Sequence, residues 1–162
     1  MLQVKTLAGL QLALRAGTAS GLSVALAALL GLDYPIYAMI AAVIVTDLSP
    51  AESRRLGARR LAATVVGAIC GAVLSALLPQ SALSLGAGIL AAMAASLALQ
   101  SSGGVARVAG YICGVVLLTH SGDPWLYAAL RFAETALGIC VAWLVSHVPK
   151  LIELKAADDA NT

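Results

Sequence analysis

Six apolar stretches, each closed by a polar or proline-containing break, divide the chain. The first runs from Gln11 to Leu32 and stops at the turn Asp33-Tyr34-Pro35, where a proline suits a fresh helix start. The second, Ile36 to Thr46, is broken by Asp47-Leu48-Ser49-Pro50. Ser49-Pro50-Ala51-Glu52 has the form of a capped helix start, so the arginine-rich segment behind it is predicted to be helical and to continue into the third stretch, Leu61 to Leu78. Pro79-Gln80-Ser81 ends that one. Leu83 to Leu99 is the fourth, without a charge, and Ser101-Ser102-Gly103-Gly104 reads as a flexible linker, with Arg107 before the fifth, Val108 to Thr119. The loop from His120 to Trp125 precedes the sixth, about Leu126 to Val148. Crossing the hydrocarbon takes about 20 helical residues. The second and fifth stretches are therefore short and must borrow their flanks or meet a thinned, protein-lined region.

The third and sixth stretches answer each other. RLAATVVGAICGAVLSALLP from Arg60 and RFAETALGICVAWLVSHVP from Arg131 agree at Arg60 and Arg131, Thr64 and Thr135, Gly67 and Gly138, and Ser75 and Ser146, with Gly71 opposite Ala142. On a helix these positions form one narrow stripe of small and polar residues. Such a stripe lets another helix backbone approach closely, which is how helices associate in lipid. Three spans followed by three similar ones imply an inverted 3+3 repeat, because an odd-numbered unit must insert upside down relative to its twin. The first span carries its own small pair, Gly17 and Gly21.

Composition agrees with a membrane protein: 60% of the residues are hydrophobic and 11% charged, against roughly 25% in soluble domains, and the mean hydropathy is +0.94. With the N-terminus inside, Lys5, Arg15, Arg54, Arg55, Arg59, Arg60, Arg107, Lys150 and Lys155 all fall on the cytoplasmic side, and Arg131 alone falls outside with Asp33, His120 and Asp123. This satisfies the positive-inside rule. The arginine cluster is thus a topology signal rather than a nucleic-acid patch. Arg15 interrupts the first apolar run, which argues against a cleaved signal peptide and suits a side chain snorkelling to the cytoplasmic surface, with a pore role as the other reading.

Candidate chemistry is sparse. Arg60 and Arg131 are expected at helix starts, where the helix dipole and a guanidinium would add to attract an anion. Glu134 lies three residues after Arg131 within an apolar run, so it is either an ion-pair partner that positions the helix or a proton carrier beside an anion-holding Arg131. Asp47 is a second proton-handling candidate, with capping or pairing to Arg54 or Arg55 as its plainer role. His120 and His147 sit near span ends. Cys70, Cys113 and Cys140 lack metal or CxxC spacing and read as buried free thiols. Trp125, Trp143 and Tyr34, Tyr37, Tyr111 and Tyr127 are predicted to form an aromatic belt rather than a ligand cage. No HExxH, nucleophile elbow or Walker A loop is present, and Gly103-Gly104 lacks the context of a phosphate cradle. An enzyme is not expected, and neither a metal nor any other cofactor.

The run Tyr34-Pro35-Ile36-Tyr37-Ala38, the IAAVIVTDLSP segment, the arginine-rich connector and the repeated Arg-x3-Thr-x2-Gly signature (Arg60, Thr64, Gly67; Arg131, Thr135, Gly138) resemble the membrane module of the FUSC-like, or aromatic acid exporter, superfamily. The resemblance implies a six-helix unit related to fusaric acid resistance proteins and exporters of hydroxybenzoate-like acids, and more distantly to aluminium-activated malate channels. It also implies a homodimer with an arginine-lined anion route. Tyr37 stands where many members have Trp, and the soluble domain that many relatives carry is not seen.

The expectation is therefore an all-α polytopic membrane protein of six spans. Residues 1–150 would form the transmembrane domain, in repeats of about 11–79 and 83–149, and residues 151–162 a polar tail. It would sit as a homo-oligomer, a dimer by resemblance, in a bacterial inner membrane with both termini cytoplasmic, and move organic carboxylate anions, aromatic ones included, out of the cell. Arg131, Arg60, Thr135, Thr64 and Arg15 are the candidate binding or pore residues, and Glu134 and Asp47 the proton-coupling candidates. The alternatives are a passive anion channel and a non-transporting scaffold or accessory subunit.

Overall fold

The computed structural model describes residues 2–99, 102–119 and 123–148, with side chains from residue 6 onward. The predicted tail at 151–162, Lys150, Lys155, Ser101, His120 and the side chain of Lys5 lie outside the described residues. Within them the chain is six helices: α1 (Leu2–Leu29), α2 (Ile36–Val45), α3 (Pro50–Leu77), α4 (Ala82–Ala98), α5 (Gly103–Thr119) and α6 (Pro124–Ser146). Three of them, α1, α3 and α6, are long and apolar enough to cross a membrane. The other three are shorter. α2 has 10 residues, about 15 Å at the helical rise, and α4 and α5 have 17 each.

The ends of these helices follow from local chemistry. Gly31 adopts φ 67°, and the N–H groups of Gly31 and Leu32 reach back to the carbonyls of Ala28 and Ala27, the hydrogen-bond pair of a left-handed C-terminal cap. Ser49 stands at the N-cap of α3 with Pro50 behind it, as predicted, yet its side chain makes no capping bond. Asp47 Oδ1 instead accepts from the Ser49 N–H, at 2.9 Å. Asp123 caps α6 by accepting from the N–H groups of Trp125 and Leu126.

Two predicted boundaries need correction. Gly103 and Gly104 are not linker but the first residues of α5, so that helix is longer than the apolar run from Val108 suggested. Arg60 and Arg131 do not stand at helix starts: α3 opens at Pro50 and α6 at Pro124, leaving both arginines two turns or more inside. The dipole field fades within the first turn. It contributes little at either guanidinium.

The small-residue stripes are packing faces, directed at helices from the other half of the chain. A Cβ built on Gly67 would fall on the Ala109 carbonyl of α5, and one built on Gly138 would fall on the Ala38 carbonyl of α2. Gly71 lies under Val116, and Ala142 is buried with Ala41, Ala42 and Val45. In this way α3 lies along α5, α6 along α2, and α3 and α6 cross between them, while α1 covers α2 and α6 and α4 covers α5 and α3. Exchanging α1 with α4, α2 with α5 and α3 with α6 maps the α3–α6 contact onto itself and each of the others onto another. Large side chains such as Leu14, Leu29, Leu83, Leu90 and Leu144 point outward, the distribution of a bundle whose solvent is hydrocarbon rather than water.

Candidate functional site

Between α3 and α6 lies a narrow pocket of about 10 Å³, room for a single water. Arg60 and Thr64 line it from α3, Arg131 and Thr135 from α6, Tyr37 from α2 and Tyr111 from α5. Four residues singled out by the repeat therefore meet at one point. Thr64 and Arg60 share one face of α3 because they are four residues apart, and the Thr64 hydroxyl spends its proton on the Arg60 carbonyl at 2.9 Å.

The two arginines are treated differently. Arg131 is 2% exposed and Glu134 fully buried, and Nη2 of the first meets Oε2 of the second at 2.5 Å. The other guanidinium nitrogens, Nε and Nη1, have no hydrogen-bond acceptor among the described residues. Glu134 is held from its other side by the Tyr34 N–H, which donates to Oε1 at 2.9 Å. Three tyrosines complete the surround: the guanidinium carbon lies 3.5 Å from the ring centre of Tyr37, 4.6 Å from Tyr34 and 4.9 Å from Tyr127. Each such contact contributes about 0.5–2 kcal/mol, the more so away from water. Arg60 has none of this. It is 6% exposed, makes no ion pair with a described residue, and its Nε lacks an acceptor.

The tyrosines do more than an aromatic belt would: Tyr34, Tyr37 and Tyr127 surround an arginine and Tyr111 lines the pocket, while Tyr34 and Tyr111 also keep an exposed side. The sequence held a signal for one of them, since Tyr127 precedes Arg131 by four residues and so shares its helix face. Trp125, Trp143 and Phe132 do lie on the outer surface. Among the cysteines, Cys113 is buried, Cys70 half-buried and Cys140 exposed, all free thiols. His147 is exposed, with Nδ1 at 2.8 Å from the Trp143 carbonyl.

Arg15 and Asp47 are not in this pocket. Arg15 is buried rather than snorkelling, and its guanidinium donates to the carbonyls of Asp47 (3.5 Å), Leu48 (3.1 Å), Ser146 (3.4 Å) and Val148 (2.5 Å). It closes the C-terminal ends of α2 and α6 at once, where carbonyls lack helical partners and a cation is favoured. Beside it the Ser53 and Ser146 hydroxyls meet at 2.6 Å, and Ser53 Oγ accepts from the Asp47 N–H. The Asp47 carboxylate takes part in the turn before α3 and pairs with neither Arg54 nor Arg55; the latter pairs with Glu52 at 3.5 Å. No cluster of metal-ligating side chains occurs among the described residues.

Residues 22–145 match the family model described as fusaric acid resistance protein-like. No curated protein and no solved structure matches the chain.

Proposed function

The chain belongs to the fusaric acid resistance protein-like family, and from that premise we propose that it is a membrane transporter which carries organic carboxylate anions, aromatic ones included, out of the cell. The observation that carries this reading is the convergence of Arg60 and Arg131 on one buried pocket between α3 and α6. Burying a cation such as Arg60 without an ion pair costs several kcal/mol, and a visiting carboxylate would offset that cost. The hydroxyl of Thr135 and the ring of Tyr37 complete a lining suited to an aromatic acid, while the Thr64 hydroxyl is turned to the Arg60 carbonyl.

In the arrangement proposed, α1–α3 and α4–α6 are an inverted repeat. The exchange of contacts between the halves supports it, as does the equal spacing of Gly67 from Gly138 and of Ala38 from Ala109. The N-terminus and the arginine-rich connector would face the cytoplasm of a bacterial cell, the short α2 would lie inside protein rather than span lipid alone, and two copies would assemble as a dimer. Glu134 acts as the internal counter-ion of Arg131 and yields it to substrate on accepting a proton, which couples export to the proton gradient. In this reading the pocket, with space for one water, is the closed state of a gated carrier rather than a standing channel.

Benzoate flux from proteoliposomes tests this. Arg131→Gln should lower flux about tenfold or more, the size of one lost charge-assisted contact, with the oligomer unchanged on gel filtration. Flux that ignores a pH gradient would make the protein a passive conductor, and no flux from the unaltered protein would leave a scaffold.

A further inference from the structure

Arg60 lines a second cavity as well. This one, about 200 Å³, opens between the arginine-rich half of α3 and the first turns of α5. Its walls are apolar, with Leu56, Val105 and Val108 among them, and its polar features among the described residues are Ser102, Arg59, Arg60 and the start of α5 at Gly104, the charged ones all positive. The first N–H groups of a helix have no carbonyl four residues back within the helix and carry its positive end. Gly104 leaves open space beside them, because among the described residues a Cβ built there would meet only Ser102 Oγ, at 4.0 Å. The independent sign of a ligand is Arg60, more than nine-tenths buried and with Nε lacking an acceptor among the described residues. Among the described residues no acidic side chain belongs to the lining.

We propose that this cavity is a carboxylate-capture site, distinct from the central pocket, in which the first-turn amides of α5 and Arg59 take the anionic head of a water-borne acid while the apolar walls take its body. Arg60, common to both cavities, then hands the anion to the pocket it shares with Arg131. The site rests on the transport reading for its purpose only; occupancy is measurable without flux. Capture here needs no opening of the Arg131 cage.

Benzoate binding to the purified full chain in phosphatidylcholine nanodiscs, followed by titration calorimetry with neutral benzamide as control, tests the site. Gly104→Asp has open space for its side chain and favours a helix start, so it should fold, and its charge should weaken benzoate binding about tenfold. Gly104→Asn, of the same shape without the charge, should bind as the unaltered protein does. Arg59→Gln should weaken binding severalfold, and Gly17→Ala, remote from both cavities, should leave it unchanged. Equal affinities for the Asp and Asn variants, or equal binding of benzamide, would overturn the proposal. So would loss of benzoate binding when phosphatidylglycerol is added to the discs, since a lipid headgroup would then be the occupant. Binding at Gly104 with no flux from any variant would retain the site and remove the transport reading.

Discussion

A guanidinium stripped of water and faced by one carboxylate and three phenol rings is held by attraction from several directions, and no single neighbour accounts for it. Removing Glu134 alone leaves the charge of Arg131 buried against rings that only partly replace it. Glu134→Gln keeps the acceptor for the Tyr34 N–H yet should destabilise the protein by about 3 kcal/mol, whereas Arg131→Met with Glu134→Leu should cost less than either single change. Thermal unfolding in detergent measures both, and a double variant less stable than each single one would refute the pairing. Arg15→Met removes hydrogen bonds to four carbonyls at the ends of α2 and α6 and should lower stability by about 2 kcal/mol in the same assay. At this scale the sequence was half legible. Arg131, Glu134 and the threonines stood out because charge and hydroxyl are rare in apolar runs. The tyrosine cage and the carbonyls around Arg15 did not, because both depend on which helices cross, and backbone acceptors leave no mark in a sequence.

Helices α3 and α6 each present one face of small residues, and what those faces meet decides how the chain folds up. The stripe was readable from its spacing; its partner was not, since Gly, Ala and Ser permit close approach without choosing what approaches. The partners are α5 and α2, each from the other half. Gly138→Val should therefore push α6 off the Ala38 carbonyl and cost about 1–3 kcal/mol, whereas Gly17→Ala, with nothing near its side, should leave the melting temperature within about 2 °C. Equal effects at the two glycines would mean that α6 does not dock on α2 through its stripe. The start of α5 was misread for a related reason: Gly-Gly is a breaker by propensity, and the packing of Ala106, Ala109 and Gly110 behind it overrides a cost of that size.

Seen whole, the protein is two interlocked halves, each lending its long helix to the other's core. Their common centre brings Arg60 to Arg131. The proposed sidedness rests on charge bias along the sequence, and single cysteines in a cysteine-free background check it: with an impermeant maleimide on right-side-out vesicles, Asp123→Cys and Ser81→Cys should react, and Ser49→Cys and Ser102→Cys should react only after lysis. Labelling of all four from one side would contradict the inverted repeat. The central claim, that anions pass between the two arginines, is tested most directly by Thr64→Cys and Thr135→Cys in that background, treated with an anionic methanethiosulfonate during benzoate transport. Modification at both positions that stops flux and is slowed by benzoate is the expected result; thiols that stay unreactive while transport proceeds would contradict it.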